Sequence, residues 1–310
     1  MFFSCSGEYI NKKDGVLANN AMVVSAREEA SKIGIEILKK GGNAFDAMMA
    51  TELALAVSYP SAGNIGGGGF MVFRKSDGTV GALDFRERAP INSYRDMYLN
   101  DNENIIENLS TIGALSIGVP GTIAGIFEAH KVHGTLTINE IISPVIKLAR
   151  DGVIVTRIQK NRINDNRKYF QLVNKSKILY DNNFKINEKI INHSLANTLE
   201  KIMINGKDEF YKGETAKKIV EFIKSNGGII TLEDLQQYKP VWREPIIFNY
   251  DNLKIISMPP PSSGGVCINQ IMSMIEPYDL KTYGHNSSDY IKLLVEAERR
   301  SFADRSFYLG

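Results

Sequence analysis

Arg86 is the side chain in this sequence best placed to grip a small anion. It stands in Asp84-Phe85-Arg86-Glu87-Arg88, at the end of a β-prone run, where side chains often face a pocket. A guanidinium fork there can hold a carboxylate through two parallel hydrogen bonds. Arg88 and Arg74 offer the same chemistry from weaker positions. Most arginines are exposed or ion-paired, so residue type alone does not select Arg86. Just upstream lies Asn64-Ile65-Gly66-Gly67-Gly68-Gly69-Phe70. Four consecutive glycines carry a large backbone entropy cost, so they mark unusual dihedrals or the close approach of another surface. A phosphate cradle would open onto a helix N-terminus. Here Phe70-Met71-Val72-Phe73 and Thr79-Val80-Gly81-Ala82-Leu83 flank Asp77-Gly78, which reads as a β-hairpin, and no Lys-Ser or Lys-Thr pair completes a P-loop. The glycines therefore enter a strand, and tight packing explains them better than nucleotide binding.

Other residues could do chemistry, each with a plainer explanation beside it. His130 and His133 sit i,i+3 beside Glu128, but a third ligand is missing and Gly134 ends the helix, so no metal site is expected. His193 and His285 read as surface or cap residues. Ser262-Ser263 follows Pro259-Pro260-Pro261 and precedes Gly264-Gly265; this is not the Gly-x-Ser-x-Gly of a nucleophile elbow and reads as a helix cap after a stiff turn. Asp304-Arg305 reads as a structural ion pair. No nucleophile and base stand together.

Composition narrows the partners. Of 310 residues, 43% are hydrophobic and 23% charged, which permits a sizeable core in one large or two ordinary domains. Lys and Arg number 37 against 35 Asp and Glu, so no basic field points to nucleic acid or an anionic membrane. Two cysteines, Cys5 and Cys267, cannot make a disulfide framework. No apolar run approaches the roughly eighteen residues of a membrane span. Met1-Phe2-Phe3-Ser4-Cys5-Ser6-Gly7 fits either an untidy extension or the tail of a lipoprotein signal anchoring at Cys5.

The elements that must position these groups follow from caps and periodicity. Ser25-Ala26-Arg27-Glu28 has the form of a capping box, with Ala30, Ile33, Ile37 and Leu38 on one face and Gly41-Gly42 as a stop. Asn43 and Asp46 open a second helix, apolar nearly all round and hence buried on most faces, ended by Tyr59-Pro60. Asn100 to Asn108 reads as a surface loop. Val119-Pro120-Gly121-Thr122 opens another helix, and Ser143-Pro144 predicts the first turn of the next, stopped at Gly152. Helices are expected over 194–205, 214–225, from Thr231, after Ser263 and over 288–303, with a strand over 253–257. The pattern is α+β, helices in pairs with few strands.

Taken together, Val23-Val24-Ser25, Gly41-Gly42-Asn43-Ala44-Phe45-Asp46-Ala47, Asn64 to Phe70, Asp84-Phe85-Arg86-Glu87 and Val119-Pro120-Gly121-Thr122 form an ordered set. It continues through Lys147-Leu148-Ala149-Arg150-Asp151-Gly152, Asp208-Glu209-Phe210-Tyr211-Lys212-Gly213, Met258 to Gly265 and Ala303-Asp304-Arg305. In this order the set resembles the γ-glutamyltranspeptidases (glutathione hydrolases) of the N-terminal nucleophile hydrolase superfamily, almost end to end.

The resemblance implies a four-layer αββα sandwich, incomplete in this chain, made as a proenzyme that cleaves itself into large and small subunits. In such enzymes a threonine freed at the start of the small subunit attacks a γ-glutamyl amide, its own α-amine serving as base. The ester then passes to water or to an amino-acid or peptide acceptor. Arg86 matches the family arginine that holds the α-carboxylate of a donor such as glutathione. The resemblance also implies no metal or organic cofactor, a periplasmic or extracellular location, and a small subunit from the same precursor as partner. The chain is expected to consist of an extension over 1–20 and a large-subunit region over 21–310, with the nucleophilic threonine beyond Gly310 and no catalytic residue within it. Alternatives in the same fold are a non-catalytic relative that binds γ-glutamyl or amino-acid carboxylates, and relatives acting on poly-γ-glutamate or cephalosporin side chains.

Overall fold

The computed structural model describes residues 15–309. Cys5 and most of the expected 1–20 extension lie outside them. Helices α1 (Glu28–Lys39) and α2 (Ala44–Ser58) form a helical hairpin turned at Gly41, whose φ of 93° is a left-handed angle that glycine adopts freely. The α2 cap is as expected: Asn43 Oδ1 accepts from the amides of Phe45 and Asp46, and Asp46 Oδ2 accepts in return from the Asn43 amide. Asp46 is fully buried and also accepts from the Thr135 amide, so one carboxylate ties the start of α2 to a distant loop. The α1 cap departs from expectation. Ser25 Oγ bonds to the Arg27 carbonyl and to Ser31 Oγ, and the helix starts at Glu28 with Arg27 at the cap position and no side-chain cap.

Strands β1 (Phe70–Arg74) and β2 (Val80–Asp84) pair antiparallel from Phe70 opposite Asp84 to Arg74 opposite Val80. Their turn uses the expected Asp77-Gly78: Asp77 Oδ1 accepts from the Thr79 amide and Gly78 has a φ of 87°. Helix α3 (Thr122–His133) ends at Gly134. Helix α4 (Ile138–Asp151) starts six residues before Pro144, on a Thr137–Glu140 capping box, so Pro144 lies in the helix interior rather than its first turn. Strand β3 (Val153–Ile154) precedes α5 (Arg157–Val173), a long helix that sequence periodicity did not reveal, because Ile163 is its one buried residue.

Strand β4 (Lys189–Ile190) pairs with β3. Then come α6 (His193–Asn205), α7 (Asp208–Tyr211), α8 (Glu214–Ser225) and α9 (Leu232–Gln237), the last on a Thr231–Asp234 capping box. Strand β5 (Val241–Arg243), also unforeseen, adds to β2 with Ala82 opposite Arg243 and Asp84 opposite Val241. Strands β6 (Ile246–Tyr250) and β7 (Leu253–Ser257) make a separate hairpin. Helices α10 (Gly264–Ile275), α11 (Leu280–Tyr283) and α12 (Ser288–Tyr308) complete the described residues, α12 running five residues past its expected end.

The main core is built chiefly from α1 to α4 and α6 to α9, joined by Val153 of β3, Ile163 of α5 and Ile190 of β4. Ile37, Met49, Leu53, Ile123, Ile126, Ile141, Ile142, Leu199, Ile202 and Leu235 are fully buried in it. A small second cluster, Leu83, Phe85 and Ala129, sits where the β1–β2 hairpin meets α3. The architecture is α+β, with short antiparallel sheets laid beside helices.

Candidate active site

The four glycines enter β1 and form one wall of a narrow slot. A methyl group on Gly68 would lie 2.6 Å from the Phe85 carbonyl oxygen and 2.7 Å from the Glu87 amide, and one on Gly69 would lie 2.8 Å from the Phe85 ring. The opposite wall is also glycine. A methyl on Gly118 would meet Glu87 Cβ at 2.8 Å, and one on Gly125 would meet Phe85 Cγ at 2.2 Å. Residues 85–88 thus thread between two glycine surfaces, fixed by backbone bonds from the Phe85 amide to the Gly69 carbonyl and between Arg88 and Val119 in both directions. Gly67 closes the slot, its carbonyl accepting from the amides of Gly121 and Thr122. The glycine run permits close backbone approach rather than cradling an anion.

Arg86 emerges from this slot with its main chain held at both ends. Its amide donates to Asp84 Oδ1 at 3.0 Å, and its carbonyl accepts from the Tyr238 hydroxyl at 2.8 Å. The Asp84 carboxylate is buried, and its other oxygen accepts from Nε and Nη2 of Arg243 at 2.8 and 2.7 Å. Such paired, charge-assisted bonds are geometrically specific. Tyr238 is also buried, stacked on Tyr211 with ring centroids 5.9 Å apart. Burial pushes its phenol well above the usual range; Arg88 opposes the rise, and Asp84 and Glu87 add to it. The hydroxyl therefore stays protonated and donates.

The three arginines considered from sequence now separate. Arg88 is engaged: its guanidinium lies 5.3 Å from the Tyr238 ring centroid and donates to the Lys239 carbonyl at 2.8 Å. Arg74 points away at the hairpin's far end and donates to the Lys75 carbonyl. The Arg86 side chain is exposed, and its guanidinium makes neither a hydrogen bond nor an ion pair among the described residues.

The remaining candidates do not join this site. His130 and His133 diverge. The former bonds to the Leu136 carbonyl at 2.8 Å, whereas the latter stacks on Phe45 at 4.4 Å and meets Phe73 and Trp242 edge-on. Ser263 Oγ accepts from Arg305 Nε at 2.9 Å, and Ser262 Oγ accepts from the Gly264 amide. Asp304 and Arg305 do not pair with each other. Adjacent helical residues face different ways, and Asp304 accepts from Gln270 instead. A cleft of about 760 Å³ lies elsewhere, between the start of α1, the end of α2 and α5, beside Arg27, Tyr59, Gln159 and Arg162. Sequence reasoning reached Arg86 and the glycines but missed Tyr238 and Arg243, which stand 152 and 159 positions from their partners and carry no local signal.

Comparison with known proteins matches this geometry to one fold. A crystal structure of Helicobacter pylori gamma-glutamyltranspeptidase superposes with a TM-score of 0.92 at 39% identity, covering 96% of this chain and 86% of that one. Gamma-glutamyltranspeptidase from Pseudomonas nitroreducens, complexed with L-DON, gives 0.89 at 42% identity, covering 95% and 88%. The fold is therefore that of the αββα N-terminal nucleophile hydrolases, of which the chain carries a part. The family profile Gamma-glutamyltranspeptidase matches residues 30–310, and the chain belongs to that family. The glutathione hydrolase proenzyme of Escherichia coli (strain K12) is 44% identical over 302 residues, 95% of this chain and 52% of that protein. The chain spans about half the length of the curated relatives it matches. No helix among the described residues is long and apolar enough to cross a membrane.

Proposed function

We propose that residues 21–310 serve as the large-subunit region of a γ-glutamyltransferase/glutathione hydrolase, with Arg86 holding the α-carboxylate of the γ-glutamyl donor. The observation that carries this reading is the state of Arg86: an exposed guanidinium without a partner among the described residues, on a peptide clamped at both ends, in a chain of this family. A side chain so mounted meets a carboxylate with little loss of backbone freedom. The chemistry belongs to a threonine at the start of a small subunit from the same precursor. Its hydroxyl attacks the γ-carbonyl, the donor amine leaves, and the resulting ester is taken by water or by an acceptor amine. Glutathione is the favoured donor, since the curated relatives are glutathione hydrolases at up to 44% identity, and among solved structures the gamma-glutamyltranspeptidases stand at 39% and 42% identity against 28% for a Bacillus anthracis transpeptidase and 27% for a cephalosporin acylase. A periplasmic or extracellular location accords with these relatives.

The test is γ-glutamyl-p-nitroanilide turnover by the full-length processed protein. Two charge-assisted hydrogen bonds contribute about 1.5–3 kcal/mol each. Exposure to solvent favours the low end, so Arg86→Lys, a point charge in place of a fork, should raise KM by about tenfold or more. An unchanged KM would sink the Arg86 assignment. Absence of any turnover by a correctly processed protein would favour the binding-only alternative.

A further inference from the structure

We propose that Tyr238 and the Asp84–Arg243 pair are positioning residues that aim the Arg86 fork, so that preference for an α-carboxylate is set by a clamp the donor never touches. The inference rests on the reading of Arg86 given above. Among the described residues nothing holds the Arg86 guanidinium itself, so the region it can reach is set by the Cα–Cβ direction that its own backbone gives it. That backbone is fixed from two sides. Asp84 Oδ1 takes its N–H at 3.0 Å and the Tyr238 hydroxyl gives to its C=O at 2.8 Å.

Each jaw of the clamp is in turn immobilised. Tyr238 is held between the Tyr211 ring and the Arg88 guanidinium, and a methyl on Gly121 would come within 2.1 Å of its hydroxyl oxygen. Asp84 is fixed by two hydrogen bonds that Arg243 donates to its Oδ2, and the strand β5 that carries Arg243 is in register with β2. A free arginine side chain samples many rotamers, and binding must select among them. Presenting its root in one orientation reduces what must be ordered when the carboxylate arrives. Two buried polar groups and a neighbouring strand are thus committed to a single exposed residue.

The experiment uses the full-length processed enzyme and two donors, γ-glutamyl-p-nitroanilide and its α-carboxamide analogue. Tyr238→Phe removes one hydroxyl and keeps the stacked ring. The expected result is a KM for the carboxylate donor raised about five- to tenfold, the size of one lost hydrogen bond. We expect kcat and the kcat/KM of the carboxamide donor to stay within about twofold. Arg243→Lys, which keeps the charge but loses the paired hydrogen bonds to Asp84, should shift selectivity the same way by a smaller factor. If Tyr238→Phe does not mature, the Arg243→Lys result decides on its own. Equal losses for both donors, the signature of a merely structural role, or an unchanged KM would overturn the proposal. Arg86→Lys in the same series keeps the two readings apart. If it leaves the carboxylate preference intact, the assignment of Arg86 fails; if it abolishes that preference while the clamp variants do not, only the clamp fails.

Discussion

Helix α2 buries ten of its fifteen residues, whereas α12 buries only Ala297 and Ser301 out of twenty-one. The contrast extends to the regions around them. From α1 to Tyr238 the chain closes a continuous core whose larger side chains are fully covered. Among the described residues from β6 onward, none joins that core. Ile247, Ile268, Ile291, Val295 and Phe302 are exposed, and Phe307 is 82% exposed. Isolated exposed apolar residues are ordinary, but a run of them on packed helices marks a face built for contact. The β6–β7 hairpin adds unpaired edges, which need a cover or a partner. The two regions therefore differ in what completes them: the first by its own side chains, the second, on the function proposed above, by the small subunit.

The largest expected effect separates the regions by truncation. Leu53→Ala, in α2, should cost about 3 kcal/mol, within the 2–5 kcal/mol typical of buried leucines. Ile268→Ala, in α10, should stay within about 0.5 kcal/mol in this chain alone. Native-state hydrogen exchange reads both, and equal costs would break the comparison. Next comes Gly121→Ala, whose new methyl would fall 2.0 Å from the Phe85 carbonyl oxygen. Overpacking of this kind costs about 1–3 kcal/mol, and urea unfolding of the full-length protein should show it. Expressed without further chain, residues 1–310 should keep the first region's core folded but bind a hydrophobic dye and self-associate through residues 246–309; a strictly monomeric protein that leaves the dye unbound would contradict this.

The smallest effect concerns the edge of the first region, where His133 and Phe73 meet Trp242 of β5, the strand that leads on to the second. Burial, followed by the charge of Lys75, lowers the His133 pKa. The unfolded chain therefore takes up this proton first, so stability is lost as pH falls below about 6.5, the ordinary histidine value. The loss levels off once the folded state is protonated too. His133→Phe should flatten this part of a Tm-against-pH profile; an unchanged slope would assign the dependence to another group.

How far the sequence could be read followed the range of the interactions. Local devices were legible: the Asn43–Asp46 cap, the Asp77-Gly78 turn, and the stops at Gly41 and Gly152 all depend on a few neighbouring residues. Ser25 misled because its hydroxyl had a competing partner in Ser31, which the spacing to Glu28 does not reveal. Helix α5 was hidden by its polarity, since a helix with one buried residue leaves almost no apolar period to detect. Strands β5 and β6 are short, and their pairing is visible only once the sheets are assembled. At the site, the sequence pointed to Arg86 and to close packing at the glycines. The other halves of the clamp, Tyr238 and Arg243, lay beyond any local pattern.

The glycine slot also has a meaning for anyone redesigning the protein. Because residues 85–88 are flanked by Gly68 and Gly69 on one side and by Gly118, Gly121 and Gly125 on the other, a side chain added on either wall collides with main chain, with a packed ring or, at Gly118, with Glu87 Cβ. Libraries aimed at a new donor gain nothing from randomising those walls. The position the slot leaves in the open is Arg86 itself, whose side chain is exposed.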